Sequence, residues 1–131
     1  MTSLSIAEAA EQTGLTAHTL RYYERDGLML RSVERASSGH RRYTDGDLGW
    51  IGLLNCLRGT GMPIRDVRRY AELVRQGEGT EQARLDLLQV HRTHVLAELA
   101  EVQEHLGAID RKIGIYSATL EGLDLERAPS A

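Results

Sequence analysis

Thr13-Gly14-Leu15-Thr16-Ala17-His18-Thr19-Leu20-Arg21-Tyr22-Tyr23-Glu24-Arg25-Asp26-Gly27-Leu28 is the stretch that decides how this chain folds. Thr13-Gly14-Leu15 forms a tight turn, and Thr16 offers its hydroxyl to the free amides of a helix start. Leu20 gives that helix a core side, and Gly27 is placed to end it. The spacing predicts a helix over about 16–26. Just upstream, Ser5-Ile6-Ala7-Glu8 puts a hydroxyl at a cap and a carboxylate three residues on, which predicts a short helix over about 5–12. Two short helices joined by a turn containing Gly match the helix-turn-helix pattern.

Beyond Gly27 the pattern turns extended: Leu28-Met29-Leu30-Arg31-Ser32-Val33, a Ser37-Ser38-Gly39 turn, then His40-Arg41-Arg42-Tyr43. This predicts a small β-hairpin, a wing, over about 28–43. Thr44-Asp45-Gly46-Asp47 supplies a cap and first-turn acids for a helix over about 44–58, with Leu48, Ile51, Leu54 and Leu57 at helical spacing. Gly59 and Gly61 end it. Pro63, with fixed φ and no N–H, starts a helix over about 63–75, and Gln76-Gly77-Glu78-Gly79 links it onward. Residues 1–77 are therefore expected to be one domain.

From Thr80 to about residue 121 there is no Pro and little Gly, so a single long helix is expected, followed by a tail over 122–131. Its apolar residues step by alternating threes and fours: Leu85, Leu88, Val95, Leu99, Val102, Leu106, Ile109, Ile113, Tyr116 and Leu120, with Arg92 the one polar occupant. Such a heptad seam is the pattern of a coiled coil. A helix of roughly 60 Å, at about 1.5 Å per residue, cannot fold back over a small domain to hide that stripe. It needs a partner helix, most simply its own copy. Periodicity alone leaves open whether the pair runs parallel or antiparallel. The fold class is thus mainly α, a winged helix-turn-helix domain followed by a long C-terminal coiled-coil dimerisation helix.

Charge follows the same division. The whole chain of 131 residues has a net charge of −3, which argues against a nucleic-acid partner. Residues 1–77, however, carry 11 Arg against 9 Asp or Glu, whereas residues 78–131 carry 5 Arg or Lys against 10 acids. The head is mildly basic and the acid belongs to the long helix. Among the basic residues 15 are Arg and one is Lys; contacts to phosphates favour that balance, and so does codon usage in GC-rich DNA. No apolar run is long enough to span a bilayer, and the N-terminus lacks the order of a signal peptide, so no membrane partner and a cytoplasmic location are expected. A lone cysteine, Cys56, excludes an internal disulfide and a zinc site built from several thiolates.

Arg and Tyr are interleaved twice, in Arg21-Tyr22-Tyr23-Glu24-Arg25 on the second helix and in Gly39-His40-Arg41-Arg42-Tyr43 on the wing. Arg reads base edges or holds phosphates, and a Tyr hydroxyl donates to phosphate oxygens. In a winged arrangement the helix enters the major groove while the wing lies along the backbone, so both clusters are expected to face one duplex. Taken singly, each cluster reads equally as a solvated Arg face with packed tyrosines.

The order helix-turn-helix, Arg-Tyr-Tyr-Glu-Arg-x-Gly-Leu, wing ending Gly-x-Arg-x-Tyr, two further helices and a long coiled-coil helix resembles the MerR family of bacterial transcription regulators, from about Leu4 to Leu120. The resemblance implies a homodimer joined by an antiparallel coiled coil. It implies a dimer that binds a pseudo-palindromic element in double-stranded promoter DNA and distorts it so that RNA polymerase engages both promoter elements. By position it gives Arg21 and Tyr22 as groove and phosphate contacts, Thr16, His18 and Tyr23 on or near that surface, and Arg41 and Tyr43 on the wing. Met29-Leu30-Arg31 stands where family members often have Pro, and His40 where an aromatic is common.

What is sensed is narrowed by elimination. His91 and His94 lie on one helical face but lack a third ligand, so neither a metal nor any other cofactor is expected. The chain ends soon after its coiled coil, so the signal is expected in the head. On the third helix Cys56 has Gly49, Gly52 and Gly59 on its side, leaving room for a small electrophile. The segment from Asp47 to Arg58 resembles the branch of the family that senses aldehydes or redox and nitrosative stress through one cysteine. A lone cysteine in an amphipathic helix also reads as a small core residue. No nucleophile–base pair or phosphate-cradling loop points to an enzyme. Two other readings remain: the same fold binding a small neutral ligand with Cys56 structural, and a coiled-coil adaptor whose Arg-Tyr face binds an acidic protein.

Overall fold

The computed structural model describes residues 3–127, with side chains through residue 123. Its elements are α1 (Ile6–Thr13), α2 (Ala17–Arg25), β1 (Glu34–Arg35), β2 (Arg41–Arg42), α3 (Asp45–Gly59), α4 (Ile64–Gln76) and α5 (Glu81–Arg127). The chain divides into two compact units, Met1–His91 and Arg92–Ala131.

In the first unit the local chemistry sets each helix end. The Ser5 hydroxyl accepts from the Glu8 amide at 3.2 Å and the Glu8 carboxylate accepts from the Ser5 amide at 3.0 Å, a reciprocal cap for α1. Thr44 and Asp47 repeat the device on α3. Gly14, with φ +71°, adopts the left-handed conformation that lets the chain leave α1 and re-enter a helix two residues later. Between them α1 and α2 form the helix-turn-helix, and α1 also packs on α3, which packs on α4. The shared core contains Ala9, Leu20, Tyr23, Leu28, Ile51, Leu54, Leu57, Met62 and Val67.

Trp50 of α3 stacks on Tyr70 of α4 with ring centroids 5.8 Å apart, and its indole N–H donates to the Leu28 carbonyl at 2.7 Å. The first turns of α5 join this unit as well. Leu87 and Leu88 pack against the core, the Thr80 hydroxyl donates to the Leu73 carbonyl at 2.8 Å, and Arg84 donates to the Gly77 carbonyl.

The wing is shorter than its sequence suggests. Only Glu34–Arg35 and Arg41–Arg42 pair, antiparallel, with Glu34 opposite Arg42 and Arg35 opposite Arg41. The expected strand over 28–33 is irregular instead. Neighbouring Leu28 and Met29 both turn into the head's core rather than pairing in the hairpin. A third extended segment completes the wing from the other end of the sequence: Leu4 bridges Tyr43, with reciprocal backbone hydrogen bonds of 2.8 and 2.7 Å.

In the second unit α5 continues without a break to Arg127, past the expected helix end near residue 121, so 122–127 are helical rather than tail. The rest of the expected tail, 128–131, lies outside the described residues. Leu99, Val102, Leu106, Ile109, Ile113, Tyr116 and Leu120 are all exposed on the single chain. Leu123 is exposed too and extends the same step of three and four by one more position. Among the described residues no helix is long and apolar enough to cross a membrane.

Candidate nucleic-acid interface

The exposed face of α2 carries His18, Arg21 and Tyr22. Arg21 makes no ion pair among the described residues. Tyr22 is 37% exposed, and its hydroxyl lies near the Arg68 guanidinium reaching over from α4. Arg68 in turn gives its Nε and Nη2 hydrogens to Asp26 Oδ2 at 2.8 and 2.6 Å, locking the end of α2 to α4. The hydrogen bond to Asp26 holds the guanidinium even more firmly protonated than an ordinary arginine. Arg75, also on α4, donates to the Gly27 carbonyl. Two arginines of α4 thus fix the exit of α2.

Thr16 stays at the helix start. Its oxygen accepts from the Thr19 amide at 3.0 Å and shares a hydrogen bond with the Thr19 hydroxyl, so in the free protein it is a cap.

Tyr23 and Tyr43 depart from expectation. At 5% and 1% exposure both are core side chains, pointing opposite to the surface on which duplex contacts were expected. On α2 the residue three beyond Leu20 shares its face, so Tyr23 goes inward with Leu20 while Arg21 and Tyr22 go outward. Burial pushes both phenols above their ordinary pKa, and for Tyr43 the nearby Glu24 adds to the shift. The Tyr43 hydroxyl has no hydrogen-bond partner among the described residues.

The wing is clamped to α2 by a carboxylate. Glu24 Oε2 accepts from Arg41 Nε at 2.5 Å and Glu24 Oε1 lies 3.5 Å from Arg35 Nη2, with Arg35 also donating to the Gly39 carbonyl at 3.0 Å. Arg35 and Arg41 are opposite each other in the ladder, which is why one acid reaches both. Arg42, the next residue along, is directed elsewhere: it gives Nε and Nη2 to the Ser3 hydroxyl and carbonyl at 3.1 and 2.6 Å. Arg42, expected with Arg41 among the duplex contacts, points to the other side of the strand, as successive strand residues do.

These elements converge on one open crevice of about 200 Å³, lined by Ser5, Ile6 and Ala7 at the start of α1, by Arg21 of α2, and by Arg35, Gly39, His40 and Arg41 of the wing. Three guanidinium groups around one concavity, two of them held in place by Glu24, suit the phosphate-lined surface of a duplex. Arg35, Glu24 and Arg68 were not singled out from sequence; only the pairing register of Arg35 with Arg41 could have indicated the first.

Cys56 is exposed on α3, and a Cβ added at Gly49, Gly52 or Gly59 would meet nothing within 4 Å. The row beside the thiol is open surface. It stands in the last turn of α3, far from the helix N-terminus. His91 is half-buried and bonds through Nε2 to the Thr60 hydroxyl at 2.7 Å, while His94 is exposed. Of the expected seam residues, Leu88 is spent partly on the head's core and Val95 is half-buried, whereas Leu85 is exposed.

Comparison with known proteins places this geometry. The model of the MerR HTH family regulatory proteins matches residues 4–73. An uncharacterized HTH-type transcriptional regulator of Haemophilus influenzae is 41% identical over 110 residues, covering 84% of this chain and 81% of that one. The HTH-type transcriptional regulator AdhR of Bacillus subtilis is 41% identical over 93 residues, 71% of this chain and 66% of its own length. Among solved structures, HiNmlR, a MerR family regulator lacking the sensor domain and bound to promoter DNA, superposes with a TM-score of 0.81 at 38% identity, covering 92% of this chain and 94% of that one. A MerR family transcriptional regulator from Listeria monocytogenes gives 0.80 at 36% identity over 96% of this chain and all of that one.

Proposed function

The chain belongs to the MerR family of helix-turn-helix transcriptional regulators, and from that premise we propose that it binds a pseudo-palindromic promoter element as a homodimer and switches transcription by distorting it. The observation that carries this is the match over nearly the whole chain to a regulator seen on promoter DNA. Family members regulate transcription and catalyse no reaction, so the chain is not an enzyme. Arg21 and Tyr22 read or hold the duplex from the major groove, with His18 beside them, and Arg41 and Arg35 hold the backbone from the wing. Residues 1–77 act as the DNA-binding domain. The seam from Leu85 to Leu123 buries against a second copy in an antiparallel coiled coil, and RNA polymerase meets the dimer at the promoter in the cytoplasm.

The signal is a reactive electrophile or oxidant that modifies Cys56. Support comes from the exposure of the thiol, the open glycine row beside it and the resemblance of the 47–58 segment to the aldehyde- and redox-responsive branch. Footprinting the full-length dimer on its own upstream DNA, with and without formaldehyde, methylglyoxal or diamide, tests both parts. A protected palindrome with steep salt dependence is expected for a DNA-binding regulator, whereas weak sequence-blind binding would indicate the adaptor reading. A Cys56→Ser protein that still responds fully to all three reagents would leave the cysteine structural and point to a neutral ligand.

A further inference from the structure

α3 ends at Thr60, whose amide donates to the Cys56 carbonyl at 3.1 Å. The Thr60 hydroxyl oxygen lies 2.8 Å from that same carbonyl, 3.2 Å from the Leu57 carbonyl and 2.7 Å from His91 Nε2. A threonine hydroxyl has one hydrogen to give. Two oxygens 2.8 Å apart repel unless a proton lies between them, so the hydrogen points at the Cys56 carbonyl. His91 Nε2 must then be the donor. A directed chain results, His91 Nε2–H to Thr60 Oγ1–H to the carbonyl of Cys56, linking α5 to the last turn of α3.

We propose that Thr60 and His91 form a coupling pin, through which a displacement of the last turn of α3 is passed to the dimerisation helix. The inference rests on the regulator reading for its purpose, but not on Cys56 being the sensor. Its position supports it. The first compact unit ends at His91, so the pin sits at the last residue of α5 that belongs to the head. At the start of α5, Thr80 and Arg84 hydrogen-bond to the end of α4 and its linker, whereas the His91 contact reaches α3. Leu87 and Leu88 hold the same turns by apolar contact, which has no preferred direction and tolerates sliding. A hydrogen bond at 2.7 Å is directional and, half-buried, is not readily exchanged for water. His91 and Thr60 are positioning residues in this scheme and touch no ligand.

The test uses the full-length dimer and a duplex that the wild type selects from a random pool, labelled with a fluorophore pair across its centre. Thr60→Val and His91→Phe are expected to keep affinity for that duplex within about twofold and to shift the ratio of bent to straight DNA by about 2- to 30-fold, the range over which residues within a coupling network act. The double variant shifts it no further than either single one, and Thr60→Ser and His91→Gln, which keep a hydroxyl and an N–H donor, restore the wild-type ratio. In parallel, nitrogen NMR of the imidazole rings should find neutral His91 protonated on Nε2, with Thr60→Val moving that signal and leaving the other four histidines in place. The pin is overturned if neutral His91 carries its proton on Nδ1, or if the two single variants bind the duplex normally and leave its bending unchanged or change it additively. Failure of the wild type to select any duplex would sink the regulator reading instead, and the NMR result would still decide the pin.

Discussion

Glu24 holds two wing arginines from the recognition helix, and removing its carboxylate gives opposite effects on stability and on DNA binding. The carboxylate is 19% exposed and the Arg41 side chain 21%, so Glu24→Ala leaves a largely covered guanidinium without its acceptor. Losing a hydrogen bond to a charged group in that setting costs about 1.5–3 kcal/mol. The Arg35 contact is longer, its side chain is 47% exposed, and Arg35 keeps the Gly39 carbonyl, so that pair adds about 0–0.5 kcal/mol at most. The expected loss is therefore about 2 kcal/mol, or roughly 10 °C in the melting temperature of a head this size.

Glu24→Gln keeps the shape and one acceptor and should lose about 1 kcal/mol. On DNA the sign reverses. The clamp neutralises part of the charge on the surface proposed to face phosphates, so either variant should bind non-specific duplex more tightly, with a salt slope steeper by about 0.9 for each phosphate newly contacted. Chemical denaturation of the full-length protein at fixed concentration, combined with a Glu24/Arg41 double-mutant cycle and salt titration of duplex binding, reads all three quantities. A coupling below about 0.5 kcal/mol, or an unchanged salt slope, refutes the clamp.

Three further outcomes follow from the geometry. Arg21→Ala should lose about 1–3 kcal/mol of affinity for its specific duplex at moderate salt, whereas Tyr43→Phe, which removes a buried hydroxyl without a partner, should leave binding unchanged and stability equal or higher by thermal melt. Glu8 has its carboxyl held below the usual range by the Ser5 amide and hydroxyl, so its contribution is present above the unfolded carboxylate pKa of about 4.3 and is lost as pH falls through the depressed folded value. The protection of the α1 amides against exchange, taken relative to their intrinsic rate at each pH, should fall on acidification over that window, and this pH dependence should weaken in Glu8→Gln. Leu106→Asp places a charge in the seam of both copies; sedimentation should show monomers at concentrations where the wild type is dimeric, with the head still folded, because Leu106 belongs to the second compact unit.

Helix ends were legible because each is written in a few adjacent residues. Ser5 with Glu8, Thr44 with Asp47, and the glycines at 14 and 27 carry their conformation locally. The seam of α5 was legible for a related reason, since a repeat needs no tertiary information; stopping it near residue 121 overlooked that Leu123 keeps the step. The wing was harder. The segment 28–33 serves the core, and the Leu28 carbonyl accepts from Trp50, a contact 22 residues away in sequence that no local pattern shows. The interleaving of Arg and Tyr did not separate surface from core: Arg21 and Tyr22 are exposed, whereas Tyr23 and Tyr43 are core side chains. Glu24, Arg35 and Arg68 gain their roles only when wing and α4 close on α2, and nothing in their local sequence announces that.

The bridge between Leu4 and Tyr43, with Arg42 gripping Ser3, makes the beginning of the chain a structural part of the wing. Tags and fusions are commonly joined at that end for purification or imaging. A reporter joined close to Ser3 would load the segment that bonds Arg42 and pairs with Tyr43, and so would disturb the wing in the operator measurements it was added to make. Labels for such work belong instead on an exposed position of the long helix away from its apolar stripe, such as Glu101 or Glu104.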